Sequence, residues 1–255
     1  MKNKHLLIII LAIALVSCTQ KPKAFKVPVE PTENIIKQLG SQDFSIVLND
    51  MDITKKRIKE VEKIVYKHKY HVLKIENDSL IVDSLDWKPV NEKFFLKYEK
   101  DLGMEIISQH NGKLSKVSQP VGHGWAIGNP KYGKWEIDST STANNSSSNQ
   151  HRRSHWRPHN SGLFWFWMLS RRTYRSDYNN TRTYKSAGQT YYGSDKKGGS
   201  IYGTNSRYQK ARRPSFFSRK KSSTSWKDYN KKVSKSSSRY SGSSKTRSRS
   251  GGYGK

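Results

Sequence analysis

The stretch Phe44-Ser45-Ile46-Val47-Leu48-Asn49-Asp50-Met51 decides how this chain is read. Phe44, Ile46 and Leu48 alternate with Ser45, Val47 and Asn49, the period of two that sends successive side chains to opposite faces of a strand. It opens residues 44–135, the only part of the chain with the apolar periodicity a core requires. Tyr70, Val72 and Ile75 read as a strand, and Leu80-Ile81-Val82 as another beyond the turn residues Asn77-Asp78. Ile58, Val61, Ile64 and Val65 recur at helical spacing behind Thr54, which predicts a helix with Thr54 as its N-cap. Asn91 caps a second predicted helix bearing Phe94, Phe95, Tyr98 and Leu102, with Phe94 buried and Gly103 as the left-handed closing residue. Residues 104–109 and 113–117 flank Asn111-Gly112, the dipeptide of tight hairpin turns. The expectation is α+β: one small domain over 44–137, about 90 residues with one modest core, followed by a largely disordered basic tail.

Ahead of this domain, Lys2 and Lys4 precede an apolar run of 11 residues, 6–16, that closes on Leu15-Val16-Ser17-Cys18. That order is the layout of a secretory leader, and the run falls well short of the ~20 residues a membrane span needs. Cys18 is the only cysteine of the chain. The four closing residues resemble the lipobox of bacterial lipoproteins. The resemblance implies a signal peptide over 1–17, a lipid of the palmitate kind on the Cys18 sulfur, and a mature chain that starts there. It also implies an address outside the cytoplasm, in the cell membrane or outer membrane. The absence of aspartate at Thr19 and Gln20 favours the outer membrane. No cysteine then remains for disulfides, redox work or thiolate metal ligation. Residues 18–43, interrupted by Pro28 and Pro31, read as a polar tether with a short helical stretch over 33–39.

Charge divides the chain. Of 48 Lys and Arg residues, 26 lie in 151–255 beside only three acids, Asp177, Asp195 and Asp228. The first 150 residues hold 22 basic and 17 acidic side chains and are close to neutral. A polar low-complexity linker spans 138–150, a basic and aromatic segment 151–170, and a Ser/Arg/Lys/Tyr/Gly-rich tail 171–255. The tail holds few aliphatic residues, among them Ala187, Ile201, Ala211 and Val233. On that count it cannot bury enough apolar surface to offset backbone ordering, so disorder is expected.

Four constellations of side chains have the residue types that could carry chemistry. Phe164, Trp165, Phe166 and Trp167, flanked by arginines including Arg153 and Arg171, suit either a membrane interface or packing onto the preceding domain. The tail offers Arg171, Arg172, Arg212, Arg213, Arg219, Lys220 and Lys221 as contacts for anionic polymers: lipopolysaccharide, other cell-wall polymers, anionic lipid or nucleic acid. His151, His155 and His159 share a four-residue spacing, but Pro158 breaks the helix that would align them, so neither a metal nor a cofactor is expected. Gly122-His123-Gly124-Trp125 and the residues up to Trp135 read as a turn-rich lid, or as a Trp/Tyr platform for sugar rings. No preorganised nucleophile and base can be assembled, which argues against an enzyme.

Phe44-Ser-Ile-Val-Leu-Asn-Asp-Met51, Leu102-Gly-Met-Glu-Ile106, Gly128-Asn-Pro-Lys-Tyr-Gly-Lys-Trp135 and the terminal Gly251-Gly-Tyr-Gly-Lys255 resemble an uncharacterised group of bacterial and phage-encoded proteins. That resemblance implies no activity. The reading that follows is a lipid-anchored envelope protein whose cationic tail binds anionic polymers or lipids. An extracellular nucleic-acid binder and a scaffold that self-associates through its Tyr/Arg tail are the alternatives.

Overall fold

The computed structural model describes residues 22–59, 61–76, 79–137, 153–159, 172–195 and 197–240. Cys18, Arg171, His151 and the block Phe164, Trp165, Phe166 and Trp167 lie outside them, as do linker residues 138–150.

The fold is α+β, built on a long antiparallel hairpin. Strand β2 (Phe44–Ile58) pairs with β3 (Val61–Glu76) from Phe44↔Lys74 to Ile58↔Val61. The expected helix behind Thr54 is therefore absent, and Thr54 pairs with Val65 across the hairpin. Ile58, Val61, Ile64 and Val65 have helical spacing, yet all four are β-branched and fit a pleated ladder better than a helical turn. Strand β4 (Ser79–Val90) lies antiparallel on the outer edge of β3. On the other side of the hairpin, β5 (Glu105–His110) pairs with β2, and β6 (Lys113–Ser115) follows through Asn111-Gly112. These two residues have φ of 49° and 72°, the left-handed pair that a tight hairpin turn demands.

The predicted tether is structured over residues 22–43. Strand β1 (Lys23–Ala24) joins β3 in parallel, and helix α1 (Pro31–Leu39) seats Ile35, with Ile36 and Leu39, on the core. Helix α2 (Glu92–Tyr98) starts behind Asn91, which stands at the N-cap as expected, but its side chain makes no capping hydrogen bond. Its side chain instead clamps the incoming chain, accepting from Val27 N–H at 2.9 Å and donating to Glu30 at 2.7 Å. Phe95, not Phe94, is the fully buried ring of α2. Phe95 and Tyr98 fall on one helical stripe and Phe94 on its margin, while the helix ends at Tyr98, short of the expected close at Gly103, and Leu102 reaches the core from the turn beyond it.

Disorder of the tail is contradicted over residues 172–234. Helix α3 (Arg175–Ser186) packs beside a small two-stranded ribbon, β7 (Gly133–Ile137) with β8 (Ser154–Pro158). A domain boundary at 137 would cut that ribbon in two. Helices α4 (Arg207–Arg212), α5 (Pro214–Ser222) and α6 (Thr224–Tyr240) come next, and α5 and α6 lie across β2. Phe216 and Trp226 are wholly buried and Tyr229 nearly so, in one cluster with Phe44, Ile46, Leu48, Tyr66 and Phe95. Trp226 meets Phe95 and Tyr229 with ring centroids 5.7 Å apart in both pairs. Three aromatic side chains, each burying about 150–250 Å², supply the apolar area that a count of aliphatics overlooks.

Candidate anion-binding cleft

Phe44 to Leu48 are buried on both faces of the sheet, and the two faces differ in kind. Phe44, Ile46 and Leu48 face the aromatic core, while Ser45 and Val47 face the turn-rich segment 118–132. Gly122 through Trp125 close over Ser45 as a lid. Ser45 Oγ donates to Glu105 at 2.6 Å, Gly122 N–H donates to the same carboxylate oxygen at 3.1 Å, and the Trp125 indole donates to Ser45 Oγ at 2.8 Å. Burial pushes the Glu105 carboxyl up to about 7, against the lowering pull of these donors. A β-carbon on Gly124 would stand 2.5 Å from Glu105 Oε1, so only glycine lets the lid approach this closely. Trp125 is 2 % exposed and cannot offer its face to a sugar ring. The turn-rich segment closes over the sheet as a lid, and Trp125 is withdrawn from any stacking platform, whereas Tyr132 and Trp135 of the same stretch are half-buried.

His123 is also buried, held by Thr181 Oγ1 at 3.1 Å, and burial lowers its pKa to about 3. Beside it opens a cleft of about 410 Å³. The sheet contributes Val47, Asn49 and His71, the lid segment contributes Pro120 and Val121, and the stretch from Ile201 to Arg213 forms the opposite wall. No Asp or Glu lines it. Arg213 is half-buried there. It donates from Nη1 to Asn49 Oδ1 and from Nε to Gln209 Oε1, both at 2.7 Å. Both acceptors are neutral amides, and among the described residues no carboxylate lies within ion-pair distance of it. Burial lowers its pKa, with Asp50 opposing from farther off. His71, hydrogen-bonded to Ser84 at 2.9 Å, is lowered first by burial and then by the Arg213 and Lys69 charges. The cleft is thus electropositive and rich in donors, an arrangement that can accept an anion.

The other cations nominated from sequence divide by direction. Arg219 donates to both oxygens of Asp50 at 2.7 Å and stacks over Trp87 at 5.6 Å. Lys220 reaches Glu99 at 3.1 Å and sits over Trp226 at 5.1 Å. These two are docking groups for the C-terminal helices rather than contacts for an external polymer, because acids of the first half already hold them. Arg172, Arg212 and Lys221 are exposed, with Arg212 lying over Tyr208 at 5.4 Å. Other inward ties are Trp226 to Asp52 at 3.1 Å, Tyr229 to Glu99 at 2.8 Å and Tyr192 to Asp101 at 2.6 Å. Asn49, His71 and Gln209 were missed as site residues, since nothing in their local sequence marks them. The pattern Trp226, Tyr229, Val233 was a usable signal: its spacing is helical and its face apolar.

His155 lies on β8 and His159 donates from Nε2 to Pro130 O, 2.9 Å away. Among the described residues no group of three or more His, Cys, Asp or Glu is placed to hold a metal ion, and no helix is long and apolar enough to cross a membrane. No protein-family model, curated protein or solved structure matches this chain.

Proposed function

We propose that this chain is a lipid-anchored protein of the cell envelope, attached through Cys18 to the cell membrane or outer membrane. It binds anionic polymers or lipids through a folded cationic surface and works by non-covalent recognition rather than catalysis. The observation that carries this reading is the segregation of charge on α4, α5 and α6. Their inward cations meet Asp50, Asp52 and Glu99, whereas Lys210, Arg212, Lys221, Lys227 and Lys231 are exposed and have no acid within ion-pair distance among the described residues. Near an anionic surface each such side chain contributes about 1 kcal/mol before screening. The lipobox-like Leu15-Val16-Ser17-Cys18 supports the address. The inward packing of Tyr191, Tyr192, Tyr202 and Tyr229 argues against self-association through tail tyrosines.

Metabolic palmitate labelling with membrane fractionation tests the anchor: label and membrane residence should both vanish in Cys18→Ser. Flotation of the full-length Cys18→Ser chain with anionic and neutral vesicles tests the surface. Binding should require anionic lipid and weaken steeply with salt. Replacing Lys210, Lys221, Lys227 and Lys231 together by Gln should weaken it at least tenfold. Binding indifferent to salt would refute the electrostatic surface, and a strong preference for DNA over anionic lipid would make nucleic acid the partner.

A further inference from the structure

The lining of the cleft beside Arg213 combines two kinds of surface. One is a half-buried arginine whose hydrogen-bond partners are neutral amides, with no acid in the lining to balance it. The other is the apolar surface of Val47, Pro120, Val121 and Ile201. Taking a charge out of water without a counter-charge is costly, and a structure that keeps one gains when an anion arrives. A volume of about 410 Å³ lies within the range of small-molecule sites, roughly 300–1,000 Å³. It exceeds what a bare inorganic anion needs and leaves room for a ring.

We infer that this cleft is a binding site for a small organic oxyanion, its carboxylate or phosphate head on Arg213 and its apolar, ring-sized body against Val47, Val121 and Ile201. Guanidinium suits such a head because its planar donors engage two oxygens at once. Asn49 and Gln209 fix the plane of Arg213 and so set the direction from which the head group enters. The three walls come from β2, the lid segment and the chain leading into α4, so ligand binding ties the C-terminal helices to the sheet. Arg212 lines the cleft as well as belonging to the exposed cations of α4, and the inference is otherwise independent of the envelope address and of Lys210, Lys221, Lys227 and Lys231.

Isothermal titration of the full-length Cys18→Ser chain tests it, with phenyl phosphate, benzoate and inorganic phosphate as probes and phenol as the uncharged control. Phenyl phosphate or benzoate should bind one to one, at least tenfold more tightly than inorganic phosphate, and phenol should not bind. The tighter of the two organic anions identifies the head group. Arg213→Met should weaken binding at least tenfold. Val121→Phe, which enlarges an apolar lining side chain and leaves the charge in place, should do the same and decides the matter if Arg213→Met fails to fold. Lys221→Gln with Lys227→Gln should leave the affinity unchanged, which separates this site from the outer surface. Failure of both organic anions to bind would overturn the inference, as would unchanged affinity in either folded cleft variant.

Discussion

Glu105 lies wholly inside the protein beneath the glycine-rich lid, and its carboxyl is raised from 4.5 to about 7 by burial. A raised folded-state value means that the native protein holds a proton the unfolded chain has released. Stability from this group is complete below about pH 4.5 and is lost as pH rises toward 7 and beyond. The shift corresponds to about 3 kcal/mol at most. His68 and His123, both lowered to about 3 by burial, act in the opposite sense: their contribution is complete above about 6.5 and is lost on acidification. Comparison of wild type with Glu105→Gln therefore isolates the carboxyl. Urea unfolding at pH 5 should find the two close in stability, and at pH 8 the variant should be the more stable by roughly 2–3 kcal/mol. A constant difference across that range would place the Glu105 titration outside the folding equilibrium.

At the level of elements, α6 is joined to the sheet by Trp226, which fills the aromatic core and donates to Asp52. Trp226→Ala should cost about 3–5 kcal/mol, chiefly for the cavity, since Asp52 loses the indole donor but keeps Lys67 at 3.8 Å. Urea denaturation of the full chain measures this. A loss below about 1 kcal/mol, the size of an ordinary surface change, would mean that α6 is not seated on β2 as described. The same helix shows why composition misleads. Its sequence, TSWKDYNKKVSKSSSRY, is polar overall, yet Trp226, Tyr229 and Val233 recur at intervals of three and four and form the one apolar stripe a surface helix needs.

For the whole molecule, the basic second half closes onto the acids of the first. Asp50 and Asp52 on β2, Glu92 on α2 and Glu99 just beyond it receive Arg219, Trp226, Lys232, Lys220 and Tyr229. Two stretches that differ in charge thus share one core. Trypsin offers a direct check, because 172–234 is dense in Lys and Arg. In the intact chain the bonds after Arg219 and Lys220 should resist cleavage, since proteolysis samples only the opened state. In an isolated 171–255 peptide, deprived of the sheet and its acids, the same bonds should be cut at once. Equal cleavage rates in the two would refute the docking.

Alternating side chains at Phe44–Leu48, the Asn111-Gly112 turn, the α2 stripe and the close-approach glycines of the lid were determined by the sequence itself, because each rests on local geometry that a few neighbouring residues dictate. Strand rather than helix at Ile58 to Val65, the capture of 22–43, the order in 172–234 and the cleft at Arg213 were decided only by tertiary structure. The strand depends on its pairing across the hairpin, and the other three on partners as far as 61 to 174 positions away, as in Asn91 with Glu30 or Trp226 with Asp52, and no local pattern announces which distant residue will satisfy a given charge or ring. The physical reason is that an aromatic or an arginine is stable exposed or buried; the partner available to it, and not its own chemistry, settles which.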